Sequence, residues 1–348
     1  ILAILVFGSL ILIHELGHFL AAKKCDVKVN EFAIGMGPLL FSTQKGETQY
    51  SLRAIPMGGF CAMEGEDDAS DDPRAFSNKP AWRKFIILVA GSFMNFLTGF
   101  VLLALLLAQN TFFVVPVIDT LMEGFPYENA QGLLPGDRIV RVNGERIYTK
   151  SDLDLFFGRD EDGIMDLVIE RDGVRLDRPG FDLRPREYTY EGETVQMRGL
   201  ICVREPFHVG SWLRQSWYNT IDMVRMVRLS LVDLFSGRAG IQDMSGPIGI
   251  VTMMSDVGAQ SPNMVAALAN ILWFVAFIAI NLAVMNLLPI PALDGGRILF
   301  LGINGLFTLL TRRRLDPKYE GYVNAAGFLC LLALMAVVAF NDIVKLIV

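Results

Sequence analysis

Apolar residues gather in four runs long enough to cross about 30 Å of hydrocarbon at roughly 1.5 Å per residue: about 1–22, 85–108, 266–288 and 323–348. About sixty mostly polar residues separate the first two runs, more than 150 separate the second and third, and about thirty the third and fourth. The pattern predicts a polytopic α-helical membrane protein with four transmembrane helices and two soluble regions. Between Val27 and Met63 the period shortens. NEFAIGMGPLLFSTQ, the turn KGET and YSLRAIPMGGF are apolar runs bounded by Gly and Pro, which predicts a membrane-associated β-hairpin or small sheet.

The long connection divides in two. Residues 112–205 read as short strands and turns: VVPVID, then ENAQGLLPGDRIVRVNGERI, then IMDLVIERDG and an RLDRPGFDLRP tail. The run AQGLLPGDRIVRVNG resembles the PDZ signature, in which a small helix leads into a Gly-Asp turn and a strand ending Val-Asn-Gly, so an inserted α+β PDZ domain is expected there. Between Gly210 and Gly237, Trp212, Trp217, Val224, Val227, Leu231 and Leu234 recur at helical spacing with Arg225 and Arg228 elsewhere on the wheel. An interfacial amphipathic helix fits this better than a fifth span.

The expected organisation is therefore a first span at 1–22, hairpin and acidic loop at 23–82, and a second span at 83–109. The PDZ-like region follows at 112–205, then an amphipathic helix and loop at 210–262. A third span with a Pro-broken end occupies 266–295, a helix and basic loop 296–322, and the fourth span 323–348. The acidic stretch Glu64, Glu66, Asp67, Asp68, Asp71 and Asp72 lacks the ordered spacing and central glycine of a calcium loop and reads as a solvated linker.

Composition supports the membrane class, with 52% hydrophobic residues among 348 and a mean hydropathy of +0.41. The net charge of −6 averages unlike regions and decides little. Cys25, Cys61, Cys202 and Cys330 lack the close spacing of a thiolate zinc site or disulfide framework. The first run carries ionisable residues and no small-residue cleavage site, which argues against a cleaved signal peptide. Lys23, Lys24, Arg83, Lys84 and Arg312 to Arg314 all fall between the first and second or the third and fourth spans. That side is expected to be cytoplasmic, with both termini and 112–205 extracytoplasmic.

The first span contains His14-Glu15-Leu16-Gly17-His18. Positions four apart share a helix face, so both imidazoles can bind one metal while Glu15, on an adjoining face, serves as general base. Zinc suits these ligands and lowers the pKa of water toward ~7. Charged groups at membrane depth cost at least ~2.5 kcal/mol each, which favours a functional origin. With only three histidines in the chain, and His208 beyond the PDZ-like region, the third ligand is expected to be a carboxylate. Asp294 is the leading candidate, following a helix that Pro289 and Pro291 must break. Broken backbone at membrane depth needs a cavity or protein around it. The competing reading has Asp294 capping the helix Arg297 to Leu310.

Together these residues resemble the site-2 protease family, in its bacterial regulator-of-sigma-E protease branch with a single PDZ domain. His14 to His18 matches the family's zinc motif, and Asn286 to Gly295 matches NxxPxPxLDG, whose Asp is the third zinc ligand. Ser245 to Ile250 and Ile55 to Phe60 also look like family segments. The resemblance implies one Zn2+ per chain, Asn286 and Pro289 shaping the site, and a sheet from Gly35 to Phe60, including Gly58 and Gly59, receiving extended substrate. It implies single-pass transmembrane substrates, such as anti-sigma factors or remnant signal peptides, and a PDZ domain that contacts or filters their ectodomains. It also implies residence in a bacterial inner membrane, with lipid and not nucleic acid as the surrounding partner. The second span departs from the usual Ala-Gly-Pro, having Ala90-Gly91-Ser92 before Asn95, which is assigned a contact with the site.

Two other classes fit part of the pattern. A metal or proton transporter would also carry intramembrane His, Glu and Asp with a broken helix, but no inverted repeat accompanies this one. A non-catalytic PDZ scaffold would not need Glu15.

Overall fold

A computed structural model describes residues 2–66, 70–190, 192–312 and 317–347. Asp67 and Asp68 of the acidic stretch, Arg313 and Arg314 of the basic run, and the chain-end residues Ile1 and Val348 lie outside the described residues. Two compact units result, one built from 1–103 with 223–348 and the other from 104–222.

Among the described residues, four helices are long and apolar enough to cross a membrane: α1 (Leu2–Lys24), α2 (Ala81–Leu107), α6 (Met264–Asn286) and the 321–345 stretch of α8 (Pro317–Ile347). Between α1 and α2 run two strands, β1 (Val29–Lys45) and β2 (Thr48–Met63), joined by the two-residue turn Gly46-Glu47. The expected hairpin proves more folded than a simple pair. Residues 31–34 of β1 pair with 49–52 on one side and with 59–62 on the other, and 39–45 pair with 48–53. Each long strand therefore bends once, and four ribbons lie side by side with 59–63 at one margin and 39–45 at the other. Gly35 and Gly58, with φ of +83° and +87°, sit at the bends, in a region that side chains with a Cβ rarely adopt.

The sheet runs along α1. At one end the turn is held by Lys23, 2.6 Å from Glu47, and by Arg74, also bonded to Glu47. The Arg74 guanidinium and the Lys23 ammonium hold the Glu47 carboxyl down at about 2. At the other end the Pro56 carbonyl lies against Gly8. Fifteen helical residues separate Gly8 from Lys23, about 22 Å of travel, so much of the sheet lies alongside the hydrocarbon-length part of α1. Its side chains agree, since Leu39, Leu40, Phe41 and Ile55 are 48 to 65% exposed.

The acidic stretch departs from a free linker. Glu64 lies near Lys28, Asp72 bonds Lys28, and Glu66 pairs with Arg297 of α7 (Asp294–Thr311). The segment after the amphipathic helix also departs from a loop. After α4 (Val209–Phe235), α5 (Pro247–Ala259) forms an apolar helix too short to span. Asp342 of α8, 3% exposed, accepts from Gly246 N at 3.2 Å and Gly249 N at 2.8 Å and so caps α5 from a distant helix.

The second unit holds a twisted antiparallel sheet in the order β10-β3-β4-β6-β7, with β5 on β4. Its strands are β3 (Phe112–Leu121), β4 (Arg138–Val142), β5 (Glu145–Arg146), β6 (Ile164–Arg171), β7 (Val174–Asp182) and β10 (Leu200–Pro206); β8 (Arg186–Tyr190) and β9 (Glu193–Met197) make a separate hairpin. α3 (Lys150–Arg159) starts in a capping box between Thr149 and Asp152. Ile118, Leu133, Ile139, Leu153, Met165 and Ile169 fill the core. The small helix expected before Gly136-Asp137 does not form. Asn129 Oδ1 instead accepts from Gln131 N at 3.0 Å and Gly132 N at 2.8 Å, and this local bonding holds the segment in turns.

Candidate metal centre

Ala3, Leu10, His14, Gly17, His18 and Ala22 are the buried positions of α1, and their spacing draws one stripe along the helix. α2 answers with Leu88, Gly91, Ser92 and Asn95, also buried. The two helices meet where both are small. A Cβ at Gly91 would stand 2.4 Å from His18 Nε2 and 2.7 Å from His14 Nε2, so only glycine leaves room for both rings.

Asp294 arrives from the break after α6. Residues 287–293 are non-helical, Ala292 has φ of +72°, and Ala292 N donates to Asn324 Oδ1 of α8 at 3.2 Å. The alternative in which Asp294 caps the next helix is not what forms. Leu293 is the N-cap of α7 without a side-chain bond, and the Asp294 carboxylate turns to the histidines.

The ring orientations fix the chemistry. His18 Nδ1 lies 2.8 Å from Ile87 O, a carbonyl that can only accept, so that nitrogen carries the proton and Nε2 presents a lone pair. His14 Nδ1 faces the amides of Asn95 and Asn286, each 3.5 Å away. A half-turn of either amide presents its oxygen to an Nδ1–H, and Asn95 Oδ1 is otherwise buried without a partner. Both Nε2 atoms then point inward, 3.1 Å apart, with Asp294 Oδ2 at 3.1 Å from His14 and 3.4 Å from His18. In this tautomer three acceptors converge, and Asp294 Oδ2 is buried with no hydrogen-bond partner among the described residues. Ligands about 2.0–2.1 Å from a tetrahedral zinc stand roughly 3.3 Å apart, which these separations match.

A cavity of about 470 Å³ opens on this cluster. Glu15, Asn95 and Asn286 line it, as do residues 60–63 at the margin of the sheet. Gly59 packs beside Glu15, where a Cβ would be 3.8 Å from Glu15 Cγ and 2.7 Å from Ala33 O. Gly35, Gly58 and Pro289 are not among the lining residues; the first two shape the sheet and the third the helix break. Two charged lining residues, Glu66 and Arg297, were not assigned to the site from the sequence. Arg297 lies one helical turn beyond Asp294 on α7, a signal that i, i+3 spacing could have supplied. Ser92, the departure in α2, is 1% exposed within an unbroken helix, and among the described residues its hydroxyl has no hydrogen-bond partner.

Comparison with known proteins agrees with this geometry. The family model for peptidase family M50 matches residues 2–334. A protein from Clostridium acetobutylicum that bears a zinc-metalloprotease name is 37% identical over 348 residues, covering 99% of this chain and 97% of its own. The regulator of sigma-W protease RasP of Bacillus subtilis is 28% identical over 426 residues, covering 99% and 97%. The zinc metalloprotease RasP of Geobacillus kaustophilus is 29% identical, covering 98% and 97%.

Proposed function

The chain belongs to peptidase family M50, the site-2 proteases, and from that premise of a zinc-dependent metalloprotease in a membrane we propose that it hydrolyses transmembrane segments within the bilayer. The observation that carries this reading is the convergence of His14 Nε2, His18 Nε2 and Asp294 Oδ2 beside Glu15 in a cavity lined by a sheet margin. His14, His18 and Asp294 hold the metal, and the Asn95 and Asn286 amides orient His14. Zinc, when bound, would supply Lewis acidity and lower the pKa of a water toward neutrality. Glu15, beside the cluster, would be the group that accepts a proton at the site and delivers it to the leaving amine.

A helical substrate hides its carbonyls, so it must be extended before attack. The outer side of residues 59–63 supplies a template, because no strand pairs with it among the described residues and it faces the cavity. Single-pass helices are the fitting substrate class, with anti-sigma factors and remnant signal peptides as examples; the sigma-W regulator name of one relative supports that choice. Glu15→Gln should keep zinc and fold while lowering turnover of a reporter transmembrane substrate by ~10²–10⁴-fold. Near-normal turnover would remove Glu15 as the base.

The protein is read as an inner-membrane enzyme with its zinc toward the cytoplasmic side. His14 precedes Lys23 by nine residues, about 13 Å along α1. Residues 104–222, read as a PDZ domain that filters or docks ectodomains, would lie outside. In intact cells an impermeant thiol reagent should label Asn143→Cys and spare Thr311→Cys. The reverse pattern would invert the orientation.

A further inference from the structure

The margin of the sheet that faces the cavity has a built-in end. In an antiparallel pair, the N–H and C=O of one residue point to the same side and alternate from residue to residue. Glu64 N donates to Lys28 O at 2.9 Å, so the neighbouring Met63 directs its amide away from β1. That amide donates to Glu66 Oε2 at 3.3 Å. Going back along β2, Cys61 and Gly59 face the same open side, and the pairing partners Phe32↔Cys61 and Ile34↔Gly59 keep them in step. Glu66 is itself fixed by Arg297, one turn from Asp294 on the helix that brings the metal ligand. Side-chain exposures of 19% for Glu66 and 25% for Arg297 leave the pair largely sheltered from water, where an ion pair holds its geometry better than at a free surface.

We infer that Glu66 is a register stop for the substrate strand: it occupies the Met63 amide and limits pairing to Gly59 and Cys61, and Arg297 locks it to the ligand-bearing helix. The inference rests on the reading that substrate adds to this margin. With the stop in place, one pairing frame sets one peptide bond before the metal centre. Without it, a second frame displaced by two residues opens, because side chains on a strand repeat every two positions. Glu66 is thus a positioning residue that determines which bond is cut.

The test uses the full-length enzyme in lipid with a single-pass reporter, and reads product ends by mass spectrometry. Wild type should give one dominant product. Glu66→Ala should add a product displaced by two residues, rising from trace to an abundance comparable with the original. Glu66→Gln retains an oxygen that can accept from Met63 N while losing the ion pair, and should preserve the original product. Zinc content and thermal unfolding of each variant separate misfolding from a change of frame. An unchanged product pattern in folded, zinc-loaded Glu66→Ala overturns the inference, as does equal redistribution by Glu66→Gln. A reporter with one backbone amide replaced by an ester next to the cut bond tests the underlying reading. Slower cleavage of the ester upholds strand pairing, so an unchanged Glu66→Ala pattern then falls on the register stop alone. Unaltered cleavage removes strand pairing and the stop together.

Discussion

Each unit sets a largely sheltered carboxylate among polar partners, and the two differ in how completely those partners are satisfied. In the second unit Asp137 is fully buried and accepts from Arg171 Nε and Nη2 at 2.7 Å each and from Leu134 N at 2.8 Å. Arg171 donates further to the carbonyls of Ala130 and Gly132. Charge and hydrogen bonds close on themselves, and the cluster staples the turn that resembles the PDZ signature to β6. In the first unit Asp294 faces the Nε2 atoms of two imidazoles, and among the described residues its Oδ2 has no hydrogen-bond partner. A saturated buried charge is a structural staple, and a set of converging acceptors left unsaturated is a place for a cation.

The sharpest way to break this contrast is to remove the saturated carboxylate. Asp137→Ala leaves Arg171 without its bidentate partner and should destabilise the second unit by about 3–5 kcal/mol. Zinc content should stay at the wild-type level. Denaturant unfolding followed alongside metal analysis decides the matter, and unchanged stability would show that saturation is not what the pair contributes.

A smaller effect should sharpen the other half of the contrast. If Asn95 and Asn286 orient His14 through Nδ1, removing both amides should weaken zinc affinity by roughly 10–100-fold with little change in fold. Either single variant should lose less, because the other amide remains within 3.5 Å. Chelator competition reads this directly, and an unchanged dissociation constant for the double variant would return the two asparagines to a role in substrate contact alone.

What the sequence disclosed follows the same division. The four spans were legible because hydrophobic length is a one-dimensional property, and the structure puts helices there with ends shifted by a few residues; α8 begins at Pro317, before the expected 323. The histidine pair was legible because i, i+4 on a helix is local. Asp294 was nominated by elimination and by the NxxPxPxLDG resemblance, and its choice between ligand and cap needed the chain break at 287–293 to be seen in place. α5 was read as loop because its stabilising partner, Asp342, lies 93 residues beyond Gly249. Glu66 disappeared into a run of acids for a like reason, its partner Arg297 being 231 residues away. The bends at Gly35 and Gly58, which turn a hairpin into four ribbons, were masked by an apolar pattern that suits either arrangement.

The central claim is that His14, His18 and Asp294 hold one zinc, and the most direct measurement is the metal content of purified protein. Wild type should carry one zinc per chain. Asp294→Ala should lose most of it while its helical content and the unfolding of the second unit remain unchanged, because the variant deletes an unsaturated acceptor and not a staple. Zinc retained at wild-type stoichiometry and affinity in folded Asp294→Ala would contradict the assignment and leave the convergence of the three residues without its explanation.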